Sequence, residues 1–332
     1  MERARKETRS RQLVGLPNNL FDLTEKVRVN SDILLSDTEA EQSKESKTQL
    51  SKDGKKWLPS SNHSLIQSGY LIKVEPLKKI IECALISPYI KNEKPISLLI
   101  VAKPESGKSS IMKQYRENKG IVYLSDCTAY GITRDVLPKI VSGEIKTIMI
   151  PDLITPLSKQ TKTRQSLIAF LNSLIEEGVA KITTYSTVWN KDVKANVISA
   201  ITDEALRDAR HGWAKIGFLS RFIVFSYSYN ISSVMEILKS YSNHGLTPQK
   251  NKIKLPKKNT DVKLSPKIAE KLNPIAIKVG EQFRLYGFRA KINFRCLLKC
   301  LAYRNNRKVV TEEDFQEFLE LVDYLNFDFH PI

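Results

Sequence analysis

The sequence predicts an α/β protein, in which a doubly wound parallel sheet is followed by a small all-helical domain. Two observations carry this prediction. Between residues 65 and 230, short apolar runs of strand length alternate with amphipathic helices, as in a parallel sheet covered on both faces. After residue 262, apolar residues recur only at three- and four-residue spacing, which predicts helices without strands.

The individual elements follow from the same patterns. The segment Ile96–Ala102 (ISLLIVA) is a continuous apolar run, typical of a central parallel strand. Other predicted strands are Gly120–Leu124, Ile145–Ile150, Lys181–Val188, Ala195–Ile201 and Phe222–Tyr227. Predicted helices are Glu75–Ile86, Ser109–Asn118, Arg164–Glu177, Ser265–Lys278, Phe294–Tyr303 and Thr311–Asn326. In the last helix, Asp314 stands three residues after Thr311, where a capping box places its acid.

The chain divides into four predicted regions. Residues 1–64 are predicted to be largely disordered, because Ser31–His63 is polar and has too little apolar surface to offset the entropy of ordering. The α/β core is predicted at 65–230, a basic connector at 231–262 and the helical domain at 263–332.

The charge of the chain favours a polyanionic partner. The formal net charge is +17, and Asn243–Lys299 contains fourteen Lys and Arg against three Asp and Glu. Nucleic acid is the commonest polyanion that such a surface binds. The alternative is a surface that keeps the protein in solution and has no partner.

Nothing in the sequence indicates a membrane or an export signal. No apolar run approaches the roughly eighteen residues that a spanning helix needs. The basic N-terminus MERARKETRSRQ has no apolar stretch behind it, and the four cysteines have no zinc-site spacing. We therefore expect an intracellular protein, in the cytoplasm of a prokaryote or of a virus-infected host.

A phosphate-binding loop follows the central strand. The segment Ala102–Ser109 (AKPESGKS) fits GxxxxGK[ST], except that Ala replaces the first Gly. In such loops the backbone N–H groups hold the β-phosphate, the Lys reaches the β and γ oxygens, and the Ser hydroxyl binds Mg²⁺. The predicted nucleotide-binding residues are Ala102, Pro104, Glu105, Ser106, Gly107, Lys108, Ser109 and Ser110. The alternative is a lysine at an ordinary turn between a strand and a helix.

A carboxylate for the metal follows the third strand. Asp152 comes directly after IMIP, at the carboxyl end of Ile145–Ile150, which is where ligands bind in open α/β sheets. We predict that Asp152 and Ser109 hold Mg²⁺. The alternative is an aspartate that begins a turn.

Residues 65–326 resemble the AAA+ ATPases, in the clade that contains the minichromosome maintenance helicases. The resemblance rests on the phosphate loop, on Asp152, on Leu171–Gly178 followed by Lys181–Ile201, and on Gly217–Phe222 (GFLSRF). The stretch Leu171–Gly178 and Lys181–Ile201 is similar to the helix and pre-sensor-1 hairpin of that clade. The last is similar to its L-S-R-F segment.

The resemblance implies roles for further residues. Thr202 stands where the family has its polar sensor-1 residue, and Arg221 stands where it has the arginine finger that reaches the next subunit. In Gly287-Phe288-Arg289, Arg289 stands at the sensor-2 position and would contact the γ-phosphate, with Arg295 as the second choice. The tip of the hairpin would be Trp189–Lys194, which would place Lys191 and Lys194 near DNA phosphates.

One departure from the family concerns hydrolysis. In most AAA+ hydrolases a Glu follows the metal-binding Asp and orients the attacking water, whereas Leu153 stands at that position here. Asp126, after the strand Gly120–Leu124, is the first candidate to replace it, and Glu105 in the loop is the second. For each, an exposed carboxylate without a catalytic role is the alternative.

Two functions remain open from the sequence, beside a third possibility, a non-binding scaffold that shares the fold. The first is an oligomeric ATPase that hydrolyses ATP with Mg²⁺ between subunits, assembled as a ring, which the family resemblance implies is hexameric, or as a helical filament. It would act on DNA, as a helicase or translocase, in replication or in processing viral or mobile-element DNA. The second is an ATP-gated adaptor with slow or no hydrolysis, which binds a protein partner through the N-terminal segment.

Overall fold

The computed structural model describes residues 73–176, 195–244 and 250–325, together with the backbone of two short strands between residues 181 and 190. The predicted disordered segment 1–64 lies outside these residues. The strands are β1 Ser97–Ala102, β2 Ile121–Tyr123, β3 Thr147–Ile150, β4 Lys181–Thr184, β5 Thr187–Asn190, β6 Asn196–Thr202 and β7 Phe222–Ser226.

The helices connect these strands and form the C-terminal part of the chain. They are α1 Glu75–Ile86, α2 Lys108–Tyr115, α3 Ala129–Gly131, α4 Leu137–Val141, α5 Ile154–Leu157, α6 Thr161–Glu176, α7 Asp203–Lys215, α8 Ile231–His244, α9 Pro266–Gln282, α10 Phe288–Arg304 and α11 Glu312–Val322. A π-helical segment, Ile132–Val136, joins α3 to α4, and short 3₁₀ turns lie at Ser87–Tyr89 and Leu219–Arg221.

Five strands form one parallel sheet in the order β2-β3-β6-β1-β7. All residues of β1, β3 and β7 are buried, so both faces of the sheet are covered. The predicted α/β class and the central position of β1 among apolar strands are therefore confirmed. The carboxyl ends of the strands share one edge, and the predicted phosphate loop lies at that edge, directly after β1.

A buried asparagine joins the elements at the opposite, amino edge of the sheet. Asn196 Nδ2 donates hydrogen bonds to the carbonyls of Ala84 (2.8 Å) and Ile96 (2.9 Å). Its Oδ1 accepts a hydrogen bond from Thr147 Oγ1 at 2.7 Å. Because buried polar groups need partners, this network fixes the start of β6 against α1, β1 and β3.

The predicted pairing of the hairpin is wrong. The antiparallel hairpin consists of β4 and β5, with Thr184 opposite Thr187, so Trp189 and Asn190, which were predicted in the turn, lie in β5 instead. The segment predicted as its second strand is instead β6, which pairs in parallel with β1 and β3. The reason is composition: β6 is apolar and buried, which suits a central strand. Lys191 and Lys194 lie outside the described residues.

The predicted connector contains a helix that was not expected. Residues 231–244 form α8, in a region whose Ser and Asn content indicated a loop. Several of its apolar side chains are exposed, including Ile231 at 84% and Met235 at 63%. The following residues, 250–263, run as an extended segment without helix or named strand.

The C-terminal part of the described chain contains helices only, as predicted. The carboxylate of Asp314 accepts a hydrogen bond from the Thr311 N–H at 2.9 Å, which confirms the capping interaction at the start of α11. These helices pack against α1, where Arg304 Nε lies 2.7 Å from Glu82. No helix among the described residues is long and apolar enough to cross a membrane.

Candidate functional site

The phosphate loop has the backbone that its sequence predicts. It leaves β1 after Ala102 and enters α2 at Lys108, so the amino end of α2 points into the loop. Gly107 has φ +84°, in the left-handed region that glycine adopts at least cost. Glu105 also has a positive φ, +61°, which is strained for a residue with a side chain. A loop with these two positive φ angles, followed directly by a helix amino terminus, is able to present backbone N–H groups to an anion.

The ammonium of Lys108 is buried among oxygen atoms of its own loop. Its Nζ donates hydrogen bonds to the carbonyls of Ala102 (2.8 Å) and Lys103 (2.6 Å), and to Ser106 Oγ (3.1 Å). Burial lowers its pKa to about 8, while the carboxylates of Asp203 and Asp152 act in the opposite direction. The Lys108 ammonium is therefore held at the loop by three oxygen atoms of the loop itself.

Two tyrosines from the end of β7 fix the loop. The hydroxyls of Tyr227 and Tyr229 both donate to the Ser106 carbonyl, at 2.9 and 3.1 Å. Tyr227 is fully buried. Since that carbonyl is directed toward the phenols, it is not available to face the interior of the loop. The sequence reasoning did not select either tyrosine.

The structure brings Ser109 and the predicted metal-binding strand together. Ser109 Oγ lies 3.3 Å from the carbonyl of Pro151, the residue before Asp152. Asp152 is exposed, and its carboxylate accepts hydrogen bonds from Ile154 N (3.1 Å) and Thr155 Oγ1 (2.9 Å). Ser109 therefore contacts the residue that precedes Asp152, at the carboxyl edge of the sheet.

The residue after Asp152 points into the core. Leu153 is fully buried, and its N–H donates to the carbonyl of Ala200 at 2.8 Å. A glutamate at this position would place its carboxylate among apolar side chains instead of near the loop. The buried position after Asp152 therefore suits a leucine and does not suit a glutamate.

Neither of the predicted replacement acids is brought to Lys108. Asp126 follows β2, which lies three strand spacings from β1, or about 14 Å. Its carboxylate is paired with Lys159 at 2.7 Å. Glu105 lies in the loop but is exposed.

A different carboxylate lies close to the loop. Asp203 follows Thr202 at the end of β6, and Thr202 pairs in register with Ala102. Asp203 is 6% exposed, and Arg207 contacts its Oδ2 at 3.0 Å. Its other oxygen, Oδ1, is buried and has no hydrogen-bond partner among the described residues. A buried carboxylate oxygen without a donor is costly, which makes this group notable.

The sequence contained a signal for Asp203. The rule that selected Asp152, an acid directly after an apolar strand, applies equally to the run NVISAIT followed by Asp203. The resemblance directed attention to Thr202 instead. In the structure, Thr202 Oγ1 accepts a hydrogen bond from Ala205 N at 3.3 Å and caps α7.

A cleft of about 770 Å³ opens beside the loop. One wall is formed by loop residues from Lys103 to Ser110, and the other by the apolar face of α8. The side chains on that face are Val234, Ile237, Leu238 and Tyr241. This volume falls in the range of small-molecule sites, and the cleft combines the loop at the amino end of α2 with an apolar wall.

The two predicted arginines form a second cluster, away from this cleft. Arg289 Nε lies 3.1 Å and Arg221 Nε 3.7 Å from Glu176 Oε2, which Lys94 also contacts at 2.8 Å. Burial alone would raise the pKa of the Glu176 carboxyl, but Lys94 and Arg289 hold it below its usual range. Arg221 directly precedes β7, so this cluster lies at the amino edge of the sheet, about 20 Å from the loop.

The structure therefore does not bring Arg289 to the phosphate loop of its own chain. It contacts Glu176 and Ser220 Oγ (3.2 Å) instead. Gly287, which precedes it, has φ +83°, and a Cβ there would overlap the Ala276 carbonyl oxygen. The second choice, Arg295, pairs with the buried Glu93 at 3.1 Å and is also distant from the loop.

A metal ion at this site would need a bound nucleotide to complete its coordination. Among the described residues, no group of three or more His, Cys, Asp or Glu side chains could hold a metal ion. Mg²⁺, however, is commonly held by one or two protein groups together with nucleotide phosphates. Ser109 and Asp152 fit that arrangement, because Ser109 lines the cleft and its Oγ lies 3.3 Å from the carbonyl of Pro151, next to Asp152.

No protein-family model matches the chain, and a search of curated proteins finds no match.

Proposed function

We propose that the protein binds ATP with Mg²⁺ in the cleft beside residues 102–109 and hydrolyses it. The observation that carries the proposal is the position of Lys108. A buried ammonium stands at the amino end of a helix, directly after a buried parallel strand, and two carboxylates lie within electrostatic reach. Loop, helix terminus and lysine are the parts that bind nucleotide phosphates.

Different residues of the cleft would bind different parts of the ATP molecule. The loop N–H groups and Lys108 would bind the phosphates, with Lys108 exchanging its three oxygen partners for phosphate oxygens. The apolar face of α8 would contact the base and ribose. Ser109 and Asp152 would hold Mg²⁺, which neutralises charge that develops on the phosphates.

Within the proposal, Asp203 replaces the missing glutamate. Its unpartnered Oδ1 would accept a hydrogen bond from the attacking water and orient it toward the γ-phosphate. It is favoured over Asp126, because β6 adjoins β1 whereas β2 does not.

The site would be completed by a second copy of the chain. Arg221 and Arg289 lie about a strand length from their own loop, so each would act on a nucleotide bound by a neighbour. An arginine supplied in this way stabilises charge in the transition state and makes hydrolysis depend on assembly. This arrangement supports our proposal that the protein is a divergent AAA+ ATPase of the pre-sensor-1 hairpin clade, assembled as a hexameric ring or a filament.

The net charge of +17 supports DNA as the polyanion on which the ATPase acts, in the cytoplasm. The test is steady-state ATP hydrolysis at low salt, with and without DNA, beside a Lys108→Ala control. DNA-stimulated turnover that the control lacks would support the proposal. Absence of both turnover and nucleotide binding would overturn it.

One observation favours the second candidate, an ATP-gated adaptor with a protein partner. Leu153 is packed in the core, so the position at which most AAA+ hydrolases have a water-orienting glutamate carries no catalytic group here. If Mg·ATP binds tightly but turnover stays at the level of the Lys108→Ala control, the adaptor function replaces the hydrolase.

A further inference from the structure

The extended segment that follows α8 is held rigidly against the core. We call residues 250–263 the strap. At its start, Asn251 N donates to the Gln114 carbonyl (2.9 Å), and Asn118 Nδ2 donates to the Asn251 carbonyl (2.7 Å). Ile253 N donates to Asn118 Oδ1 at 2.8 Å. The first part of the strap is thus bound to the carboxyl end of α2.

The second part of the strap is bound equally well. Thr260 N donates to the Tyr89 carbonyl (2.7 Å), and Lys91 N donates back to the Thr260 carbonyl (2.9 Å). Lys263 N then donates to the Lys308 carbonyl at 2.9 Å. Since residues 89–91 precede β1, the strap crosses the amino edge of the sheet, opposite the phosphate loop.

The lysines of the strap face outward. Exposure alternates along its start: Asn251, Ile253 and Leu255 are half-buried, whereas the lysines between and around them are exposed. A period of two is typical of extended backbone, which separates alternate lysines by about 7 Å. The exposed lysines of the strap are Lys250, Lys252, Lys254, Lys257, Lys258 and Lys263.

Neighbouring residues add to the positive charge. Lys91 and Lys308, which bond to the strap through their backbone, and Lys119, which follows Asn118, are also exposed. Asp261 is the single acid of the strap, and Glu117 pairs with Lys250 at 2.9 Å. A ridge of lysines therefore remains that is not neutralised by these acids.

We infer that the strap is a binding surface for the phosphate backbone of duplex DNA. Lysines on a backbone already fixed by hydrogen bonds bind a polyanion without a large ordering cost. The strap contains no aromatic residue, so it lacks the stacking platforms with which proteins hold single strands. It also lacks the apolar face that a membrane-lying segment needs, since Ile253 and Leu255 are turned inward.

This inference deepens the proposed action on DNA and rests on it only for the class of partner. The strap and the nucleotide cleft lie at opposite edges of the sheet, so each can fail without the other. The strap would hold duplex DNA with little regard to sequence, because phosphate contacts carry no base information.

The test measures binding of the full chain to a fluorescein-labelled DNA duplex at several salt concentrations. The variant Lys252→Gln/Lys254→Gln/Lys257→Gln removes three strap charges. The control Lys139→Gln/Lys162→Gln/Lys215→Gln removes three exposed charges elsewhere. We expect the slope of log K against log salt to become shallower by about 2.7 in the strap variant and by much less in the control.

ATP turnover without DNA should be equal in the wild type and in both triple variants, which separates loss of the DNA surface from damage to the ATPase. An unchanged salt slope in the strap variant would overturn the inference. So would tighter binding of a single strand than of a duplex of the same length. Binding to vesicles of anionic lipid, with no binding to DNA, would overturn it in favour of a membrane surface.

Discussion

Arg289 and Glu176 are 113 positions apart in the sequence, yet Nε of the arginine lies 3.1 Å from Oε2 of the glutamate. Lys94 and Arg221 contact the same oxygen, so one carboxylate gathers three cations at the amino edge of the sheet. Two arginines that the family resemblance connects with the γ-phosphate are thereby kept together, away from their own phosphate loop.

The first prediction concerns this carboxylate. Glu176→Gln leaves Lys94, Arg221 and Arg289 close together without a counter-charge, and removing one partner of a partly buried charge network is destabilising. We expect the free energy of unfolding in urea to fall by about 2 kcal/mol. Glu204→Gln, at an exposed position on α7, should change it by less than about 0.5 kcal/mol. Equal effects of the two changes would contradict the network.

The second prediction concerns Asp203, the carboxylate that we propose orients the attacking water. Asp203→Asn keeps the shape of the side chain but removes its charge, so we expect kcat for ATP to fall at least about 100-fold with KM little changed. Asp126→Asn, at the end of a strand not adjacent to β1, should keep kcat within about twofold of the wild type. If Asp126→Asn abolishes turnover and Asp203→Asn does not, the assignment of the two acids must be reversed.

The third prediction concerns a glutamate introduced after Asp152, at the position where most AAA+ hydrolases have one. Leu153→Glu should not increase turnover, because the side chain at this position is fully buried in the core. An unpaired carboxyl group and lost apolar packing should together destabilise the fold by about 4 kcal/mol. Gln160→Glu, at a nearby exposed position, should leave the denaturation midpoint unchanged. A stable and faster Leu153→Glu enzyme would show that the backbone at Asp152 is arranged differently.

The fourth prediction concerns pH. Burial lowers the pKa of Lys108 to about 8 from the ordinary 10.5, so in this interval the unfolded chain binds more protons than the folded one. The stability of the nucleotide-free protein should therefore rise with pH between about 8 and 10 relative to Lys108→Met. Nucleotide affinity should change in the opposite direction, weakening by up to about tenfold per pH unit above 8, because phosphate favours the protonated lysine. A flat affinity profile from pH 7 to 9.5, measured by titration calorimetry, would contradict this account of Lys108.

Local patterns predicted much of the fold. The apolar run of β1, the glycine and lysine that follow it, and Asp152 after the third strand each stand in the structure where their sequence context indicated. These features depend on neighbouring residues, so a single sequence carries them. The apolar spacing of α8 was present too, but the Ser and Asn residues around it favoured a loop prediction.

Features that depend on packing between distant segments could not be predicted in the same way. The hairpin was mispaired because β6 joins β1 and β3, a choice made by burial on both faces of the sheet. The position of Arg289 depends on how α10 packs against Glu176, which no spacing within Gly287-Phe288-Arg289 encodes. Asp203 could have been predicted from the sequence, because it follows an apolar strand as Asp152 does. The family resemblance pointed to the neighbouring Thr202 instead.

The central claim is that one chain supplies Lys108, and a second supplies Arg221, to the same ATP. The most direct measurement mixes two variants, Lys108→Ala and Arg221→Ala, each expected to be inactive alone. Sites formed between an intact loop and an intact arginine should restore turnover to a substantial fraction of the wild-type value, reaching about a quarter if copies mix at random. Mixtures that stay as inactive as the separate variants, although copies exchange between assemblies, would contradict the shared site.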